Sequence, residues 1–62
     1  MTLKEAASLA TFGPGLEPHT RSTVIVCDGT EYSIEASDMH KDKHLLGTLL
    51  RHMQEEGVID GN

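Results

Sequence analysis

The pair Asp28-Gly29 constrains this chain more than any other feature of its sequence. It separates two β-rich runs, Ser22-Thr23-Val24-Ile25-Val26-Cys27 and Thr30-Glu31-Tyr32-Ser33-Ile34-Glu35-Ala36. It is also the pair a type I′ turn demands, because both central positions of that turn take positive φ. A two-residue loop fixes the pairing that follows. Cys27 is set against Thr30, Val26 against Glu31, Ile25 against Tyr32, Val24 against Ser33 and Thr23 against Ile34, with opposed residues sharing a face. The expected antiparallel hairpin, about 22–36, therefore has one face of Ile25, Cys27, Tyr32 and Ile34. Its other face mixes Val24 and Val26 with Glu31, Ser33 and Glu35.

Beyond the hairpin the period changes from 2 to 3.6. Ser37 or Asp38 is placed to cap a helix over about 38–56, with Gly57 free to take the left-handed position and Val58 to cover the last turn. At 100° per residue, Met39, Leu45, Leu46, Leu49, Leu50 and Met53 share an arc of about 120°. The opposite arc holds His40, Lys43, His44, Gly47, Arg51, Gln54 and Glu55. At the other end, Thr2-Leu3-Lys4-Glu5 has capping-box spacing, and Leu3, Ala6, Ala7 and Ala10 repeat as a narrow stripe. The chain thus reads as one small α+β domain, residues 1–62: a short helix within 1–12, an irregular connector over 13–21, a hairpin-helix core over 22–57 and a tail over 58–62.

Such a domain is short of core. A chain of this length buries roughly 60% of the surface its unfolded form exposes, and small domains commonly need a disulfide, a metal or a partner subunit. Cys27 is the only cysteine, so no intrachain disulfide exists. A lone two-stranded hairpin is marginal in water, and one helix covers only one of its faces. Two solutions follow. Either the N-terminal helix packs on the second face, or two copies complete the sheet as a homodimer. The second is favoured here, with Val24, Val26, Ile25 and Tyr32 as the expected dimer interface. The stretch from Thr23-Val24 through Asp28-Gly29, Tyr32, Ile34 and the leucine helix resembles the hairpin-plus-helix dimerisation module of actinobacterial nucleoid silencers. The resemblance covers about 30 residues and implies an architecture, a dimer through a small sheet. It does not extend to DNA reading, since no Arg-Gly-Arg segment is present.

Charge narrows the partners. Ten acids against five bases give a net charge of −5, which opposes attraction to phosphate backbones or anionic lipid. Direct nucleic-acid and membrane ligands are not expected. No apolar run exceeds Val24-Ile25-Val26-Cys27, and no basic region followed by an apolar stretch opens the chain, so neither a membrane span nor a signal peptide is read. With a single thiol, a cytoplasmic location is expected.

Few residues are arranged for chemistry. His40 and His44 stand four apart on the expected helix and share a face, the spacing by which two imidazoles hold a metal ion; the glutamate of an HExxH motif is absent, and a tetrahedral zinc site would need two further ligands, for which His19, Asp42 and Cys27 are the candidates. Four histidines in all also allow a pH-responsive assembly. Cys27 as a nucleophile is opposed by Asp28 and Glu31, whose charges raise a thiol pKa; a small buried apolar role is expected instead. Ser33 and Ser37 lack a nucleophile elbow, and Gly13-Pro14-Gly15 lacks the lysine and spacing of a phosphate loop. No catalysis and no cofactor are expected.

The reading is therefore a non-catalytic acidic interaction module. A chain running from Met1 to the polar Asp60-Gly61-Asn62 suits a stand-alone regulator or inhibitor of the phage or bacterial type. Its partner would be another protein with a basic surface, such as one that binds nucleic acid. The expected contact residues are Glu31, Glu35, Asp38 and Asp42, together with Gly47 and Arg51, because a glycine in mid-helix invites close approach. Two alternatives remain: a metal-binding module through His40 and His44, and an accessory domain that oligomerises a larger assembly.

Overall fold

A computed structural model of the chain describes residues 1–60. The order of elements is α1 (Leu3–Ser8), β1 (Thr11–Pro14), β2 (Thr20–Cys27), β3 (Thr30–Ser37) and α2 (Asp42–Glu55). The strands form one antiparallel sheet in the order β1-β2-β3. This is an α+β fold with three strands, where two were expected.

The hairpin has the pairing that its turn dictates. Asp28 and Gly29 take φ of 50° and 80°, and the register from Cys27↔Thr30 to Thr23↔Ile34 is the expected one, continued to Thr20↔Ser37. The third strand comes from the region read as helix end and connector. Thr11 pairs with Val24 and Pro14 with Arg21. In a two-residue hairpin the pair beside the turn is hydrogen-bonded and such pairs alternate along the ladder. Arg21 therefore directs its amide and carbonyl to β3, and Pro14 opposite it gives up no ladder bond. Proline is tolerated at such an outward-facing edge position. The connector shrinks to Gly15–His19, closed by the Gly15 amide donating to the Thr20 carbonyl at 2.9 Å.

Both helices lie on the inner face of the sheet. Ala6 of α1, Ile25 and Cys27 of β2, and Leu49 and Met53 of α2 are buried together with Ile59. The N-terminal helix packs against α2 and β2, so it does not cover the second sheet face. Its capping box is formed: the Glu5 amide donates to the Thr2 hydroxyl, and the Glu5 carboxylate accepts from the Thr2 amide, both at 3.1 Å.

Two boundaries move. The main helix starts at Asp42, with Lys41 as N-cap and no side-chain cap, because β3 runs on to Ser37 and the Asp38 amide is held by the His19 carbonyl at 2.9 Å. Met39 consequently leaves the apolar stripe and is 89% exposed. At the other end, Gly57 has φ 78°. The Gly57 and Val58 amides donate to the carbonyls of Gln54 and Met53 at 3.0 and 2.9 Å, the two bonds of a Schellman cap. That cap turns the chain back over the core. Ile59 is buried, and the Asp60 amide donates to the Met1 carbonyl at 2.9 Å. Residues 58–60 of the expected tail are thus structural, and residues 61 and 62 lie outside the described residues.

Candidate protein-interaction surface

Alternation along β2 and β3 divides the hairpin into a buried and an open face. Thr23, Ile25 and Cys27 point under the helices and are buried. Val24 is half-buried and Val26 is 52% exposed, on a face shared with the exposed Glu31, Ser33 and Glu35. No element of the chain among the described residues packs on this outer face. The loop Gly15–His19 edges it, with the Leu16 side chain 97% exposed. The Leu16 amide donates to Glu35 Oε1 at 2.7 Å, which ties the loop to the acidic row of β3.

The remaining expected contact residues are scattered over other surfaces. Ile25 is fully buried in its own core, so it offers nothing to a second chain. Tyr32 is half-buried on the inner face, against the core cluster. Asp38 is exposed beside His19, whose Nδ1 stands 3.9 Å from the Asp38 carboxylate. Asp42 is engaged within the chain by Arg21. Gly47 and Arg51 are exposed on α2, away from the sheet it covers, and a Cβ on Gly47 would meet nothing within 4 Å. Val24, Val26, Glu31 and Glu35 alone form a continuous surface.

His40 lies in the turn before α2 and not on the helix as expected, because the helix starts only at Asp42, while His44 is in its first turn; the two rings stack, centroids 4.9 Å apart and planes 15° off parallel. Among the described residues no third histidine, cysteine or carboxylate joins them in a metal-binding cluster. Cys27 is buried, with its thiol donating to the Met1 thioether at 3.1 Å. The carboxyl of Glu5 is held below its ordinary value by the bonds it accepts from the Thr2 amide and hydroxyl. It serves a helix cap, not the open face.

A second feature borders the acidic row. A groove of about 480 Å³ runs between β3 and α2, with Tyr32, Ile34, Leu49 and Met53 as its apolar walls and Glu31, His52 and Glu56 as its polar ones. It lies beside the outer edge of β3, an eight-residue strand that among the described residues is paired on one side only. The sequence carries no separate signal for this groove, because its existence depends on where α2 crosses the sheet. No described helix is long and apolar enough to cross a membrane. Comparison with protein-family models, with curated proteins and with solved structures finds no match for this chain.

Proposed function

We propose that this chain is a non-catalytic protein-interaction module that acts by laying its acidic sheet against a basic surface of another protein, as a small regulator or inhibitor does. One observation carries the reading: both helices stack on the same side of the sheet, which leaves Val24 and Val26 uncovered beside Glu31 and Glu35. A three-stranded sheet in a domain this small gains from a second layer, since apolar area removed from water stabilises at roughly 25 cal/mol per Å². The acids flanking the two valines select a cationic partner and would speed its encounter. The cytoplasm, where the single thiol stays reduced, suits such a role.

Homodimerisation is the second reading, favoured by Val26 itself, whose exposed side chain lies next to the half-buried Val24 on the uncovered face. Photo-crosslinking separates the two. A benzophenone residue placed at position 26 is expected to capture one basic protein in the cell of origin, and the same residue at position 47 to capture none. Adducts of the chain with itself at position 26, with sedimentation at twice the monomer mass, would establish the dimer instead. Capture from position 47 alone would refute both.

A further inference from the structure

We infer that the free edge of β3 accepts an extended peptide from another protein as a fourth strand, with basic residues four apart flanking two apolar ones. The inference rests on the interaction-module reading and names the form its partner takes.

The turn sets which groups are free. Because Cys27 and Thr30 flank a two-residue loop, Thr30, Tyr32, Ile34 and Ala36 direct their amides and carbonyls to β2. Glu31, Ser33 and Glu35 direct theirs outward, to an edge that no strand among the described residues covers. An antiparallel strand bonded to these three positions has a fixed side-chain pattern, since opposed residues share a face. Residues opposite Glu31 and Glu35 lie on the outer face, where both acids are exposed residues without an ion pair among the described residues, Glu35 with Oε1 already accepting from the Leu16 amide. Residues opposite Tyr32 and Ile34 lie on the inner face, over the groove walled by Leu49 and Met53. The complementary segment is therefore basic, apolar, any residue, apolar, basic. This is recognition by strand addition, in which main-chain bonds hold the peptide and alternate pockets choose it.

A second copy of this chain fits the edge poorly. Antiparallel pairing of two β3 strands about Ser33 sets Glu31 of each chain opposite Glu35 of the other, and like charges directly opposed are destabilising. Each chain also carries a net charge of −5. The edge is built for a cationic strand.

The test uses the full chain and the capped peptide acetyl-Thr-Lys-Val-Thr-Val-Lys-Thr-amide, with a glutamate-for-lysine peptide as control. Fluorescence polarisation is expected to show saturable binding of the lysine peptide and none of the control. In amide NMR spectra the largest changes are expected at Glu31, Ser33 and Glu35. Ser33→Pro removes an outward N–H without breaking the β2 ladder, and is expected to weaken binding at least about tenfold. Should that variant fold poorly, the double substitution E31K/E35K is expected to reverse the preference between the two peptides. Absence of binding by the wild-type chain, or equal binding by Ser33→Pro, would overturn the inference. A wild-type dimer that Ser33→Pro converts to monomer would overturn it too, by giving the edge to a second copy. The crosslinks expected from position 26 do not depend on this edge, so they distinguish a failed peptide site from a failed interaction module.

Discussion

Arg21 grips Asp42 with two parallel hydrogen bonds, Nε to Oδ1 at 2.9 Å and Nη2 to Oδ2 at 3.2 Å. The pair joins the start of the central strand to the first turn of α2, at the point where the helix has no side-chain cap. An acid in the first turn complements the helix dipole, and the guanidinium fork holds that acid in place. Both side chains are about two-fifths exposed, at 39% and 42%, so screening limits their value. Asp42→Ala is expected to lower stability by about 0.5–1 kcal/mol. Urea melts of Arg21→Ala, Asp42→Ala and the double variant at low and high salt check this; the coupling between the two sites should shrink as salt rises.

Gly15 in the β1–β2 loop and Gly47 in α2 should respond to alanine in opposite directions. A Cβ on Gly15 would meet the Thr20 hydroxyl and the Glu35 carboxylate, the latter at 2.7 Å, which pushes apart the bond between Glu35 and the Leu16 amide. Around Gly47 there is open space, and alanine is the better helix former. Thermal melts are expected to show Gly47→Ala stabilised by about 1 kcal/mol and Gly15→Ala destabilised by about 1–3 kcal/mol. Equal shifts would mean that the Glu35 to Leu16 contact does not shape the loop.

How much of this was legible follows from which signals are local. Asp28-Gly29 is a local turn signal, so the register of the hairpin and the division of Val24 and Val26 from Ile25 and Cys27 could be read directly. Gly57 and Val58 are similar, since a Schellman cap involves only the last turn. The strand Thr11–Pro14 was hidden because Gly13 and Pro14 break most elements, and only an edge position with an outward amide tolerates that proline. The helix start was hidden because Ser37 suits a cap as well as a strand end, and pairing with Thr20 decides between them. Of the candidate surface, the acidic and valine row was visible through its period of 2. The groove beside it combines Tyr32 and Ile34 with His52 and Met53, which are about twenty residues apart, and depends on the placement of α2.

The capping box at the N-terminus makes α1 sensitive to acid. Glu5 has its carboxyl lowered from the ordinary value of 4.5, first by the backbone bond from Thr2 and then by the Thr2 hydroxyl. A depressed folded value means the contribution is fully present above the unfolded value near 4.5 and is lost as pH falls through the lower folded one. Comparing melting temperatures of the wild type and Glu5→Gln across pH checks the sign. Glutamine keeps the geometry of the box but not the charge, so a gap present at neutral pH should close on acidification. A gap that widens in acid would reverse the assignment.

Thr23 is the place where this fold gives up stability without evident return. It sits at the centre of β2, fully buried, and its Oγ1 has no hydrogen-bond partner among the described residues. A hydroxyl buried without a partner costs about 1–3 kcal/mol. Valine has the same branched shape, suits a central strand and carries no polar atom. Thr23→Val is therefore expected to raise stability by about 1 kcal/mol in chemical denaturation. Thr23→Ser keeps the hydroxyl and deletes a buried methyl, and is expected to lower stability by about 1 kcal/mol. Because Thr23 faces the helices and not the outer surface, peptide binding at the β3 edge should be unchanged in the valine variant. A destabilised Thr23→Val would show that the hydroxyl is satisfied in solution.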